Sequence, residues 1–168
     1  MNATTRLAAA AAALLLATTV AAAEPQAGHE QHADMHANGA ISQLKLNDGQ
    51  KWGTDASLRA GMASIRAAFE ADHPAIHAGT QTDAQYVALA DRVEAQVKGI
   101  IAQCKLPAAA DANLHLIIAD LLQGAGFMRG QDPARSRHDG AARVHGALLA
   151  YPKYFDDPSW PAEAKAPR

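Results

Sequence analysis

The chain has one cysteine, no second run of apolar residues as long as the one at its start, no clustered basic stripe and no catalytic signature. Each absence closes a door. Cys104 alone cannot form an internal disulfide, so the fold has to hold without a covalent staple, and paired-cysteine haem attachment is excluded. A formal charge of −2 over 168 residues, −3 once Arg6 is removed with the leader described below, projects no field that would gather nucleic acid or anionic lipid. No glycine-rich phosphate loop, serine elbow, HExxH or cysteine pair is present, so nothing points to an enzyme.

What is present begins with residues 1–23, which have the parts of an export signal: Arg6, an apolar stretch from Leu7 to Val20, and the small residues Ala21, Ala22 and Ala23 before a cleavage point. The apolar stretch is short for a span and rich in alanine, so the expectation is a signal peptide, a mature chain without a membrane span, and a periplasmic location if the source is Gram-negative. Residues 24–43 hold little that can be buried and read as a disordered leader. This leader carries His29, His32, Met35 and His36, imidazole and thioether donors suited to copper-like ions, as a labile site. The tight amino-terminal copper geometry is excluded, because Pro25 and Gln26 occupy the second and third mature positions.

Residues 44–156 form one domain, and residues 157–168, with three prolines, read as a flexible tail. After the turn at Asn47, Asp48 and Gly49, Trp52 is placed as a plug for the end of the fold. Apolar residues then recur at threes and fours in four segments. The first carries Leu58, Met62, Ile65 and Phe69 behind a cap at Thr54 or Asp55, kinking or stopping at His73 before Pro74, with Gly79 as its firm end. The second carries Tyr86, Ala90, Val93, Val97, Ile100 and an inward Cys104, up to Pro107. The third opens near Asp111 and carries Leu114, Ile118, Leu121, Ala125 and Met128. A fourth follows Asp132 and Pro133 with Ala141, Val144, Leu148, Tyr151 and Phe155, fraying at Pro152. Four such helices with short links predict an all-α, up-down-up-down antiparallel four-helix bundle.

In that topology, position along a helix becomes height at about 1.5 Å per residue. Met62, Cys104 and His115 then share one level, with His145 a couple of turns away, and this soft donor set is the candidate for a tighter copper site. The other end collects His73, His77 and Met128 with His138 opposite, as weaker candidates. Each has a simpler explanation: Met62 as core filler, Cys104 as a small buried hydrophobe, His115 satisfied by a backbone bond, and His73, His77, His138 and His145 as surface residues.

The stretch Leu58-Arg59-Ala60-Gly61-Met62-Ala63-Ser64-Ile65 with Phe69, and the closing Ala150-Tyr151-Pro152-Lys153-Tyr154, resemble the first and last helices of the small periplasmic four-helix b-type cytochromes. The cytochrome c-prime proteins share that architecture. The resemblance implies a periplasmic bundle in which the methionine of helix one, here Met62, and a histidine just after the tyrosine grip haem from opposite faces. Pro152 stands at the histidine position and has no donor atom, so that iron site cannot form unaltered. The functional expectation is therefore an exported copper-binding bundle that buffers or carries the ion. A haem-binding electron carrier and a non-catalytic module docking an envelope partner through Trp160 or the tail are the alternatives.

Overall fold

The computed structural model describes residues 39–161. The stretch expected to be an export signal, the expected leader donors His29, His32, Met35 and His36, and the end of the expected tail lie outside the described residues. Four helices account for most of the rest: α1 (Ala56–His77), α2 (Asp83–Gln103), α3 (Ala108–Met128) and α4 (Arg137–Tyr154). Consecutive helices pack along their lengths, α3 against α4 most closely, which gives the up-down-up-down antiparallel bundle. None of the described helices is long and apolar enough to cross a membrane.

Three of the four helices, α1, α2 and α4, start where a side chain satisfies free amides, whereas α3 starts behind Pro107 without a side-chain cap. Asp55 caps α1 by accepting from the Leu58 amide at 2.7 Å. Thr82 with Gln85, and Ser136 with Asp139, form reciprocal capping boxes at α2 and α4. The apolar stripes meet in one core, with Leu58, Met62, Ile65, Val93, Leu121, Val144 and Tyr151 fully enclosed. Where α3 crosses α4, a β-carbon added at Gly140 would sit 2.5 Å from the Gly124 carbonyl oxygen and 2.6 Å from the Met128 amide. Only glycine permits that approach, and it explains why this seam is the tightest.

Several boundaries differ from the sequence expectation. α1 does not stop at His73 but runs through Pro74 to His77, because a proline in the last turn removes one hydrogen bond without stopping the helix, and the turn closes at Gly79, the expected end, with φ of +66°. Pro152 is likewise inside α4. α3 begins at Ala108, directly after Pro107, and α4 begins only at Arg137, behind its Ser136 cap. Cys104 lies just past α2 in extended conformation, half-buried, so it is not the last inward position of that helix.

Residues 40–43 and 157–161, expected in the leader and in the tail, are part of the fold. Residues 40–43 form a 3-10 turn held to α3, where the fully buried Asp120 carboxylate accepts from the Ala40 amide at 3.0 Å and the Ile41 amide at 3.4 Å. Arg143 of α4 donates to the same carboxylate at 2.8 Å. Past α4, the short strand β2 (Phe155–Asp156) pairs in parallel with β1 (Trp52–Gly53), bringing Trp52 against the core as a partly buried plug. Beyond it Asp157 is buried and accepts from the Tyr151 hydroxyl at 3.1 Å, and the Trp160 ring packs 4.9 Å from that of Tyr151. Burial of Asp157 and Trp160 is what turns the front of the tail into structure.

Candidate functional site

The four donors expected to share one site occupy four different settings. Met62 is fully enclosed by apolar neighbours. Cys104 sits at the bundle end, where its thiol donates to the Asp55 carboxylate. Burial, then the negative charge and hydrogen bonding of Asp55, then the charge of Asp111, push the thiol pKa up to about 11. It is a protonated packing thiol at neutral pH, not a ready thiolate. Asp55 is held the other way. Burial disfavours its charge, but the Leu58 and Lys105 amides, the Cys104 thiol and the Ser57 amide outweigh that and keep its carboxyl below the ordinary range.

His115 faces solvent, with 62% of its side chain exposed, and its Nδ1 lies 2.8 Å from the Asp111 carbonyl oxygen and 3.4 Å from the Asp111 carboxylate. The correction follows from helical phase. Leu114, Ile117, Ile118 and Leu121 face inward, which turns residue 115 about 100° away from the stripe. His138 is exposed near the start of α4 and is not among the imidazoles gathered below.

The fourth expected donor, His145, has moved to a different company. Its ring stacks on Phe69 with centres 5.0 Å apart and planes 15° from parallel, and the His73 ring centre is 5.6 Å from it. His77, one turn further along α1, has its ring centre 6.1 Å from that of His73. Three imidazoles from two helices therefore stand in file across the α1/α4 seam. Because α1 continues past Pro74, His73 and His77 keep the i,i+4 relation that lets two histidines share a helix face.

The shift of His145 has a simple cause. Cα–Cβ bonds tilt toward the N-terminus of their own helix, and long side chains cover the turn before their own Cα. In antiparallel neighbours these leans are opposed: a residue late in α1 and one early to midway in α4 approach each other, although their Cα atoms stand at different heights. His145 leans away from Met62 and toward Phe69 and His73.

This seam is also the open side of the bundle. α1 and α4 touch far less than any two consecutive helices do. Between them lies a groove of about 330 Å³, mostly apolar, with Phe69, Leu148, Pro152 and Trp160 along it and His73 and His145 at one end. The Arg66 guanidinium lies over the Trp160 ring at 5.2 Å and pairs with Glu70 at 2.8 Å. Sequence periodicity gives no hint of this groove, because it depends on how two helices distant in the chain splay.

The histidine file is close to, yet short of, a formed ion cage. Among the described residues no group of three or more His, Cys, Asp or Glu side chains is arranged to hold a metal ion. With metal–nitrogen bonds of about 2.0–2.1 Å and about 1.1 Å from nitrogen to ring centre, two imidazoles on one tetrahedral ion have centres about 5.2 Å apart. The His73–His145 separation is within half an ångström of that value, and a small χ1 shift of either side chain would supply the remainder. Comparison with protein-family models, with characterised proteins and with solved structures gave no match.

Proposed function

We propose that this protein is an exported metal-binding bundle, with copper as the ion, that buffers or transfers it. His73 and His145 form the grip of the folded domain, and His77 stands beside them. The observation that carries the reading is the His73–His145 ring separation of 5.6 Å across a seam that is otherwise sparsely packed. Imidazole is a ligand copper accepts in both oxidation states, and among divalent first-row ions copper takes such donors most strongly. The half-exposed setting suits exchange, since an ion held by few donors at an open seam can leave as readily as it enters. Met62, Cys104 and His115 have no part in this site.

A haem carrier is less well supported by the residues. The methionine that would ligate iron, Met62, has no exposed surface, and Pro152 has no donor atom to oppose it. An envelope-docking role draws on the α1/α4 groove and Trp160 alone.

The test is titration of purified protein with Cu(I) against a chromophoric competing chelator. Near-stoichiometric binding is expected, with His73→Ala and His145→Ala each weakening it at least tenfold and with Cys104→Ser and His115→Ala leaving it unchanged. Wild-type affinity in the His73→Ala/His145→Ala double variant would overturn the reading.

A further inference from the structure

The grip formed by His73 and His145 leaves positions on an ion open, and one hard donor stands on the same helix face. Arg66, Glu70, His73 and His77 recur at spacings of four, three and four, which lines them up along one side of α1. Glu70, His73 and His145 all border the α1/α4 groove. Glutamate and histidine three residues apart is a spacing by which helical bundles put a carboxylate and an imidazole on one ion. The Glu70 carboxylate is turned instead to the Arg66 guanidinium at 2.8 Å, with 60% of its side chain exposed. With Glu70 so engaged, no three such donors among the described residues converge on one point. Little opposes its release. An exposed i,i+4 pair contributes little, because solvent screens it and two long side chains are ordered to make it. Arg66 keeps a second contact, since its guanidinium also lies over the Trp160 ring at 5.2 Å. The neighbouring carboxylate, Asp72, is held more firmly: it accepts from Arg92 at 2.8 Å and from Gln81 at 3.2 Å.

Resting on the metal reading above, we infer that Glu70 is the residue by which the seam distinguishes the two oxidation states of copper. It leaves Arg66 to bind Cu(II) beside His73 and His145, and it stays with Arg66 when the ion is Cu(I). Tetragonal sets of nitrogen and oxygen donors are characteristic of Cu(II), whereas Cu(I) takes soft donors and gains little from a carboxylate. Met62 is enclosed in the core and the Cys104 thiol is engaged by Asp55, so neither of these soft donors offsets that preference at the seam. The Arg66–Glu70 pair thus acts as a latch that the divalent ion opens and the monovalent ion leaves shut.

The experiment is a pair of competition titrations on the full protein, one with Cu(II) and one with Cu(I) under reductant, comparing wild type, Glu70→Gln and His73→Ala/His145→Ala. Glu70→Gln should weaken the tight Cu(II) equivalent at least tenfold and leave Cu(I) within twofold of wild type. Each tenfold loss confined to Cu(II) raises the potential of the bound couple by about 59 mV, which voltammetry reads independently. The electron paramagnetic resonance spectrum of the Cu(II) form should also change in Glu70→Gln, because a ligand atom is replaced. A charge acting only from a distance would not move it. Equal losses for the two ions, a Cu(II) affinity within twofold of wild type, or an unchanged spectrum would overturn the inference, and the seam site would stand as long as His73→Ala/His145→Ala loses the ion. Wild-type affinity in that double variant would overturn both.

Discussion

Asp120→Ala should be among the most damaging single substitutions in the chain. The carboxylate has 2% of its surface exposed and serves three donors: the Ala40 amide, the Ile41 amide and the Arg143 guanidinium, itself only 14% exposed. Truncation leaves a nearly buried cation without its anion, a change that costs about 3–5 kcal/mol in comparable sites. Two features favour the lower end. Arg143 keeps its place 5.7 Å over the Phe127 ring, and the two amides can turn to water if the 3-10 segment lifts away. The expected loss is therefore about 3 kcal/mol, or about 9 °C in Tm for a domain of this size. Urea denaturation followed by far-ultraviolet circular dichroism measures it. Asp120→Leu with Arg143→Met removes both charges and should recover most of the loss, because a buried pair is worth little against well-packed apolar replacements. A loss below about 1 kcal/mol in Asp120→Ala, or a double variant worse than the single, would refute the claim that this pair is desolvated and anchors the start of the described chain.

Gly140→Ala places a methyl group against backbone atoms of α3 and should cost on the order of 3 kcal/mol, whereas Gly99→Ala, whose added carbon meets nothing within 4 Å on helix α2, should stabilise by about 0.5–1 kcal/mol; paired denaturation curves decide both. Cys104, with its thiol pKa pushed up to about 11, should react with iodoacetamide at pH 8 roughly two orders of magnitude more slowly than an ordinary thiol, and reaction at the ordinary rate would show that burial and the Asp55 contact do not hold it.

The helices were legible because burial imposes a period. Leu58, Met62, Ile65 and Phe69, and likewise Ala141, Val144, Leu148, Tyr151 and Phe155, are inside as their spacing requires. Ends were read less well. Pro74 and Pro152 sit in final turns, where the lost hydrogen bond is tolerable, and the Ser136–Asp139 capping box starts α4 three positions after Pro133. Asp120 interrupts an inward face and gives no periodic signal. Its role emerges only when Arg143 and the amides of residues 40 and 41 arrive from elsewhere in the chain.

The donor residues are visible in the sequence as types, but the structure sets Met62, Cys104, His115 and His145 apart. The sequence puts His145 a couple of turns from the level of Met62, and the opposed lean of side chains on antiparallel helices carries it further off, to Phe69 and His73. His115 shares a level with Met62 by sequence, but a turn of about 100° puts it in solvent, where the Asp111 carbonyl satisfies its ring as the simpler explanation has it.

X-ray absorption at the copper edge, on protein loaded with one equivalent of Cu(I), tests the location of the ion most directly. The account predicts a nitrogen shell near 2.0 Å, with imidazole scattering that is lost in the His73→Ala/His145→Ala variant. A sulfur shell near 2.3 Å that vanishes on Cys104→Ser would contradict it and return the ion to the end of α2.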